Sequence, residues 1–300
     1  MVRQIEDLLK MTDVEYIKDY KTSKRCSLGA GGEARVAIIP QDEEELIRIT
    51  GALFSDRIDF RVLGAMSNTA LADTGFYGAL IFTDGLKRFE INGDILSLGA
   101  GVRLPWLFTK LIPLGISGFE ELFGIPGTVG GGVFQNAGSY GRECADIFVG
   151  ARVYDLEMQR IVYISKSDMC FSYRSSILKK ERSLIILSAD FKVCFDDAER
   201  IRERSICCLN KRRASQPSDK SLGSTFKRPD SGYAGELIDK AGLKGARVGG
   251  ACVSEKHAGF IINTGGSTVH DYTTLADICQ SEVFKKFGIK LEREFEIIEN

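Results

Sequence analysis

Residues 124–141 read GIPGTVGGGVFQNAGSYG. Seven of these eighteen residues are glycine: Gly124, Gly127, Gly130, Gly131, Gly132, Gly138 and Gly141. That density is too high for a packing element, because glycine inside a helix or strand costs roughly 0.5–1 kcal/mol relative to alanine. It suits a place where bare backbone lies close to something else. Successive N–H groups without side chains can form a nest for an anion. The turn Asn136-Ala137-Gly138 adds small residues against which a flat or phosphorylated ligand could lie. The bland alternative is a β-rich segment with several tight turns.

Around this stretch the composition is that of a folded protein. The chain has 300 residues, 44% of them hydrophobic and 27% charged, which excludes a disordered chain and supports two or three domains at about 150 residues each. Lys+Arg 40 against Asp+Glu 41 gives a formal net charge of −1, so nothing overall points to nucleic acid or an anionic membrane. No apolar run approaches the roughly 18 residues of a membrane span, and the amino end carries acids where a signal peptide carries an apolar region. The expectation is a cytoplasmic protein without membrane insertion. The eight cysteines are scattered with no C-x-x-C, and the only histidines are His257 and His270. No metal site is expected, nor a disulfide framework. The thiols read as reduced and mostly buried. Two histidines also weaken any Ser-His-Asp or Cys-His scheme.

The periodicities predict alternating strands and helices before residue 85. ARVAIIP (34–40), FRVLG (60–64) and GALIFTD (78–84) read as strands, and 42–56 as a helix with acids in its first turn. The middle reads as β-rich. Asn92-Gly93 between alternating apolar residues is a hairpin signal. ARVYD and RIVYIS flank the turn LEMQ, and 184–195 alternates as one long strand. A helix is predicted from 196 to about 213 and another near 270–287. From Arg202 to Arg228 eight basic residues face only Glu203 and Asp219, and this change of character places a boundary near 200.

The usual nucleotide motifs fail. G-x-G-x-x-A occurs at Gly29–Ala34, but a dinucleotide fingerprint must follow a strand and open a helix. Here a strand follows it. No Gly-Lys dipeptide exists, so there is no Walker A loop.

Seven segments, in order, resemble the UDP-N-acetylenolpyruvoylglucosamine reductase (MurB) family of flavoenzymes in its shorter second subclass. SLGAGGEA (27–34) is similar to the family's first glycine turn, and VLGAMSNTALAD (62–73) to its flavin loop. GIPGTVGG with NAGSYG matches its pyrophosphate and isoalloxazine segment. FSYRSS (171–176), GSTFKRP (223–229), AGLKGARVGGACVSEKHAGFIIN (241–263) and EREFEII (292–298) match the rest. The resemblance implies an α+β fold: a two-part FAD-binding domain of the vanillyl-alcohol-oxidase (PCMH) type, 1–85 and 86–199, then an α+β substrate-binding domain, 200–300, with the terminal acidic strand. It implies non-covalent FAD, NADPH as co-substrate, and UDP-N-acetylglucosamine enolpyruvate as the substrate reduced by a monomer. There are departures. Ala65 and Met66 replace two glycines of the flavin loop, Glu33 and Arg35 stand where proline and aspartate are usual, and Gly259 stands where asparagine is common.

The resemblance assigns catalysis to Arg174, Ser224 and Glu294. Reducing an enol ether puts charge on the α-carbon and its carboxylate, so the reaction needs preorganised donors and a proton. Arg174 offers paired donors to the carboxylate; its bland alternative is a surface salt bridge. Ser224 is the proton donor; its alternative is a turn serine bonded to backbone. Glu294 donates a hydrogen bond if held protonated, although alternation alone leaves Glu294 and Glu296 open. FAD contacts are expected from Gly31, Gly32, Gly64, Ser67, Asn68, Gly124, Pro126, Gly127, Thr128, Gly130, Gly131, Asn136, Ala137 and Gly138. Substrate contacts are expected from Tyr140, Tyr173, Arg212 and Lys227, the basic segment 211–228 suiting a diphosphate. His257 reads as structural or flavin-proximal. The rivals are another flavin oxidoreductase of the same fold acting on a sugar or alcohol, and a non-catalytic nucleotide-sugar binder. The absence of histidine before residue 257 argues against a histidine-tethered oxidase.

Overall fold

The computed structural model describes residues 2–12 and 14–300, with side chains for all of these except residues 2–4, 10 and 11. Helices and strands alternate along the chain in an α+β arrangement. The chain forms two compact units that interleave in sequence: 1–17, 36–65 and 78–211 make the first, and 18–35, 66–77 and 212–300 make the second. The composition shift near 200 falls close to the last of these junctions. No helix among the described residues is long and apolar enough to cross a membrane.

The first unit is built on a five-stranded antiparallel sheet in the order Arg160–Ser165, Phe148–Asp155, Leu184–Lys192, Ile95–Gly99, Phe89–Asn92. The Asn92-Gly93 hairpin forms as predicted, with Asn92 paired to Ile95 and Gly93 at φ +60°. Alternation along Phe148–Asp155 buries Ala151 and Val153 in a core that also holds Leu98, Leu187, Ala189 and Phe191. The predicted strand 60–64 is Phe60–Leu63, which runs parallel to Phe76–Phe82 with Phe60 opposite Ala79. The helix Glu43–Ser55 buries Leu46, Ile49 and Leu53 on one face, and Asp42 caps it by accepting from the Glu45 N–H at 2.8 Å. Ile47 only packs against the core's edge, and Phe54 is exposed.

The long strand predicted for 184–195 is two. The first ends at Lys192; the Val193 N–H donates to the Asp94 carbonyl at 2.9 Å, and Cys194-Phe195 pairs instead with Ile116-Ser117. Alternation continues through this switch, so periodicity alone does not mark it. The following helix, Ala198–Ser215, starts two residues later than predicted because Asp197 accepts from the N–H groups of Glu199 and Arg200.

The second unit carries a three-stranded antiparallel sheet, Arg247–Val248, Ala251–Val253, Ile261–Asn263. The helix Val269–Phe287 buries Val269, Tyr272, Leu275, Ala276, Cys279 and Val283. A reciprocal Thr268–Asp271 capping box starts it, and Gly288 at φ +69° ends it. The Asp73 carboxylate adds bonds from the N–H groups of Val269 (3.1 Å) and His270 (2.8 Å). Glu296–Ile298 runs parallel to Thr69–Leu71. All eight cysteines are free thiols. Cys26, Cys144, Cys252 and Cys279 are buried and Cys170, Cys194 and Cys207 exposed, so burial holds for half of them rather than most.

Candidate active site and flavin-binding segments

In the first unit the glycine-rich stretch forms the short helix Val129–Gln135, capped by Thr128, whose Oγ1 accepts from the Gly131 N–H at 3.2 Å. The Val129 N–H donates to the Val102 carbonyl and the Gly130 N–H to the Ala100 carbonyl, both at 2.9 Å. The helix's first three amides are therefore spent inside the protein, and the anion nest suggested by the glycine run is not built from them. Gly130 is a packing glycine after all: a Cβ there would stand 2.9 Å from that of Ala100. Gly64 approaches Thr128 so closely that a Cβ would collide with Thr128 Oγ1. Two expected flavin positions, far apart in sequence, thus meet backbone to side chain. Gly124 (φ +84°) and Gly127 (φ +126°) occupy conformations that disfavour other residues, with Pro126 between them.

Asn136 ends the helix in the left-handed region, φ +46°, and is only 1% exposed. Its Nδ2 donates to Glu143 Oε2 at 2.8 Å and to the Ser172 carbonyl at 3.0 Å, while its Oδ1 accepts from the Ala145 N–H at 3.0 Å. The side chain expected at the flavin is a hub of the protein's own structure. Ala137 leads into the hairpin Gly138-Ser139, Arg142-Glu143, turned by Tyr140 (φ +52°) and Gly141 (φ +83°). Tyr140 is exposed at its tip.

Ser172 and Ser175 exchange two backbone hydrogen bonds of 3.0 Å, making a tight turn with Tyr173 and Arg174 at its tip. Arg174 has φ +54°, an uncommon conformation for arginine. Its Nη2 donates to the Gly138 carbonyl at 3.1 Å, Nη1 lies 3.9 Å from Glu143 Oε1, and the guanidinium sits 4.9 Å from the Tyr173 ring. The first unit therefore gathers Asn136, Gly138, Glu143, Tyr173 and Arg174. Glu143 was not anticipated; its position as the first residue of a capping box with Asp146 is the only local signal.

In the second unit the serine loop pairs antiparallel with the terminal acidic segment. The Glu294 N–H donates to the Thr225 carbonyl at 3.0 Å and the Lys227 N–H to the Glu292 carbonyl at 2.8 Å. Ser224 thus lies one residue before the backbone partner of Glu294. Thr225 is fully buried; its N–H donates to the Gly259 carbonyl at 2.8 Å, and its Oγ1 accepts from the Ile261 N–H at 3.1 Å. Asn68 clamps the other strand: its Nδ2 donates to the Glu294 carbonyl, and its own carbonyl accepts from the Glu296 N–H, both at 3.0 Å. Ser67 precedes it, and Met66, at φ +54°, keeps the left-handed backbone that the usual glycine would adopt. The Met66 side chain is 3% exposed, so it packs into the protein.

The first glycine turn also lies in this unit. Gly31 has φ +144°, and a Cβ on Gly32 would strike the Ala72 carbonyl. The Lys220 side chain folds over Gly29. Among the other basic residues of 211–228, Lys227 is ion-paired with Glu292, Arg228 sits 4.3 Å over the Tyr233 ring, and Arg212 Nη1 donates to Gln216 Oε1 at 3.2 Å. His257 is held by its own loop, its Nδ1 accepting from the Gly259 N–H at 3.0 Å.

The residues fit a flavin nucleotide. Gly131 presents an exposed, bare backbone face at the capped helix start. At the other end of that helix, buried Gln135 Nε2 has no hydrogen-bond partner among the described residues. It is a donor suited to a polar ligand atom. Among the described residues no cluster of three or more His, Cys, Asp or Glu side chains could hold a metal ion.

Comparison with known proteins agrees over nearly the whole chain. Residues 34–163 match the FAD binding domain model, and residues 216–298 match the model of the UDP-N-acetylenolpyruvoylglucosamine reductase C-terminal domain. The UDP-N-acetylenolpyruvoylglucosamine reductase of Caldicellulosiruptor bescii is 41% identical over 298 residues, covering 98% of this chain and 94% of its own. That of Caldanaerobacter subterraneus is 37% identical, covering 99% and 98%. The crystal structure of the Thermus caldophilus enzyme, MurB, superposes with a TM-score of 0.81 at 32% identity, covering 95% of this chain and 99% of that one. The expected fold class, an FAD-binding domain followed by a MurB carboxy-terminal domain, is the one found. The chain belongs to the UDP-N-acetylenolpyruvoylglucosamine reductase family and is an FAD-dependent oxidoreductase of it.

Proposed function

We propose that the chain reduces the enolpyruvyl ether of UDP-N-acetylglucosamine enolpyruvate to the lactyl ether of UDP-N-acetylmuramate, a peptidoglycan precursor, with NADPH as the source of the hydride. FAD, when bound, supplies hydride transfer between the two substrates. Arg174 binds the substrate carboxylate and offsets the charge that grows on it. Ser224 Oγ–H gives the α-carbon its proton, which a neutral hydroxyl can do because an enolate carbon is a strong base. Glu294, in its protonated form, donates a hydrogen bond toward the same carboxylate. Gly31, Gly32, Gly64, Ser67, Asn68 and the stretch Gly124–Gly138 hold FAD, and Tyr140, Tyr173, Arg212 and Lys227 contact the substrate. Residues 1–85 and 86–199 act as the FAD-binding parts and 200–300 as the substrate domain, in a cytoplasmic monomer.

The observation that carries this reading is the Glu294 N–H bond to the Thr225 carbonyl at 3.0 Å. Seventy residues apart in sequence, the serine loop and the acidic strand are paired so that both proposed acid groups belong to one small element of backbone. The tight turn at Arg174 also supports it, since it sets a functional side chain at a loop tip. The test is an anaerobic visible spectrum of the purified holoenzyme. Flavin absorbance should bleach with NADPH and return with UDP-N-acetylglucosamine enolpyruvate. Flavin that bleaches and then ignores that substrate would overturn the assignment in favour of an oxidase of sugars or alcohols.

A further inference from the structure

We propose that His257 is a positioning residue for Ser224, its imidazole holding the turn that clamps the serine loop. The inference rests on the reading of Ser224 as proton donor. Its chain of contacts lies wholly within the second unit. The Gly259 N–H donates to His257 Nδ1 at 3.0 Å. The carbonyl of the same Gly259 accepts from the Thr225 N–H at 2.8 Å, and Ile261, two residues on, donates to Thr225 Oγ1 at 3.1 Å. The Thr225 carbonyl then accepts from Glu294 at 3.0 Å. Every polar backbone and side-chain group of Thr225 is thus held, and Ser224 is attached to its amino side. One residue, Gly259, joins the imidazole, through its N–H, to the serine loop, through its carbonyl.

The slot for the ring is made by absent side chains. A Cβ on Gly235 or on Gly259 would each stand 2.9 Å from His257 Cε1. Glycine at 259, where the family commonly has asparagine, therefore makes room for this ring position. The Phe260 ring meets the imidazole edge to face at 5.1 Å, the Phe260 N–H donates to the His257 carbonyl at 3.0 Å, and the His257 N–H donates to Ser254 Oγ at 3.4 Å. The bond from Gly259 requires a lone pair on Nδ1, hence the neutral ring with its proton on Nε2. An imidazolium would set two N–H groups against each other. Burial pushes the His257 pKa below its usual 6.5, and the nearby Lys244 ammonium acts in the same direction. The helix Ala234–Lys240 brings the uncharged Gly235 against the ring, and the charged group that acts on the imidazole is Lys244. The clamp is intact when His257 is neutral, so proton delivery should fail as pH drops through this lowered pKa.

Three variants of the holoenzyme test the proposal: His257→Asn, whose Oδ1 can replace Nδ1 as acceptor; His257→Gln, whose acceptor lies farther out; and His257→Phe, which has a ring and no acceptor. The readouts are the rates of flavin reduction by NADPH and of flavin re-oxidation by UDP-N-acetylglucosamine enolpyruvate, each across pH. Reduction should stay near the parent rate in all three. Re-oxidation should slow by roughly 10- to 100-fold in His257→Phe, the effect of one buried hydrogen bond lost, and less in His257→Asn than in His257→Gln. The acid limb of re-oxidation should vanish in His257→Asn. Parent-like re-oxidation in His257→Phe, or an acid limb surviving in His257→Asn, would overturn the proposal. Should His257→Phe fail to fold, equal rates in the Asn and Gln variants would do the same. Ser224→Ala separates the two readings. If it re-oxidises normally, the proton-donor role itself is wrong; if it stalls while the His257 variants do not, only the clamp is wrong.

Discussion

The side-chain amide of Asn136 donates to the Ser172 carbonyl at 3.0 Å, two residues before Arg174. The same amide holds Glu143, whose other carboxylate oxygen faces Arg174. One buried asparagine therefore governs both the turn that displays the arginine and the anion beside it. Asn136→Ala leaves the Ala145 N–H without its acceptor, at about 1–3 kcal/mol, and removes one of the two donors of the Ser172 carbonyl, which keeps only the Ser175 N–H. The thermal midpoint should fall, and flavin re-oxidation by the enolpyruvyl substrate should slow more than flavin reduction. Asn136→Asp still accepts from Ala145, but it loses both donations and adds a charge next to Glu143. It should be no better than alanine. An unchanged melting curve and re-oxidation rate in Asn136→Ala would remove the hub role.

Ser224→Ala should bind FAD and bleach with NADPH like the parent, because Ser224 has no part in either event. Re-oxidation by the enolpyruvyl substrate should stall, since nothing else then gives the α-carbon its proton. Stopped-flow absorbance of the flavin checks this directly. Substrate-driven return at the parent rate would count against the serine.

Much of this was legible in the chain, and the rest was hidden for a physical reason. Strand and helix positions follow from short-range periodicity, as does the Asn92-Gly93 turn. The ordered glycine, Tyr-Arg, Gly-Ser and acidic segments carried the family. What no local pattern contains is a hydrogen bond between distant segments. Asn68 and Asn136 are small polar residues in glycine-rich turns, where a ligand contact is the natural reading. Their amides also bind carbonyls 226 and 36 residues away. The break at Val193 is hidden likewise, because alternation runs on while the pairing partner changes.

Met66 is a test of the altered flavin loop. Its φ of +54° would suit glycine, yet its side chain is buried. Met66→Gly relieves roughly 1 kcal/mol of left-handed strain but removes a buried side chain worth about 2–5 kcal/mol. Stability should therefore fall. FAD content should be unchanged, because the methionine side chain packs into the protein. A chemical denaturation curve and the flavin-to-protein absorbance ratio measure the two effects. A more stable variant, or one that gains FAD, would mean the side chain was an intrusion.

Burial pushes the thiol of Cys26 up to about 11 and those of Cys144 and Cys279 up to about 12, from an ordinary 9.0. The folded chain therefore keeps protons that the unfolded chain releases above pH 9. Below that pH these groups leave stability unaffected; above it the unfolded state gains, and stability falls up to the folded pKa values. Melting curves should drop as pH rises from about 9 to about 11. The drop should be shallower in Cys279→Ala, after allowing for its offset at low pH. A parallel drop would show that other groups cause the alkaline loss.

Glu294 offers the sharpest test of charge at the site. An ionised carboxylate would repel the carboxylate of the substrate, whereas a protonated one donates a hydrogen bond to it. Its backbone is fixed from both sides, by Thr225 and by Asn68, so substitutions at its side chain leave the strand in place. Glutamine is always neutral and always a donor, though weaker in acidity; alanine is neither. Losing one such donor costs roughly 10²–10³ in kcat. Glu294→Ala should show that loss in re-oxidation, Glu294→Gln should retain more, and both should be reduced by NADPH at the parent rate. Equal losses in the two variants would mean that Glu294 does not act as a neutral donor.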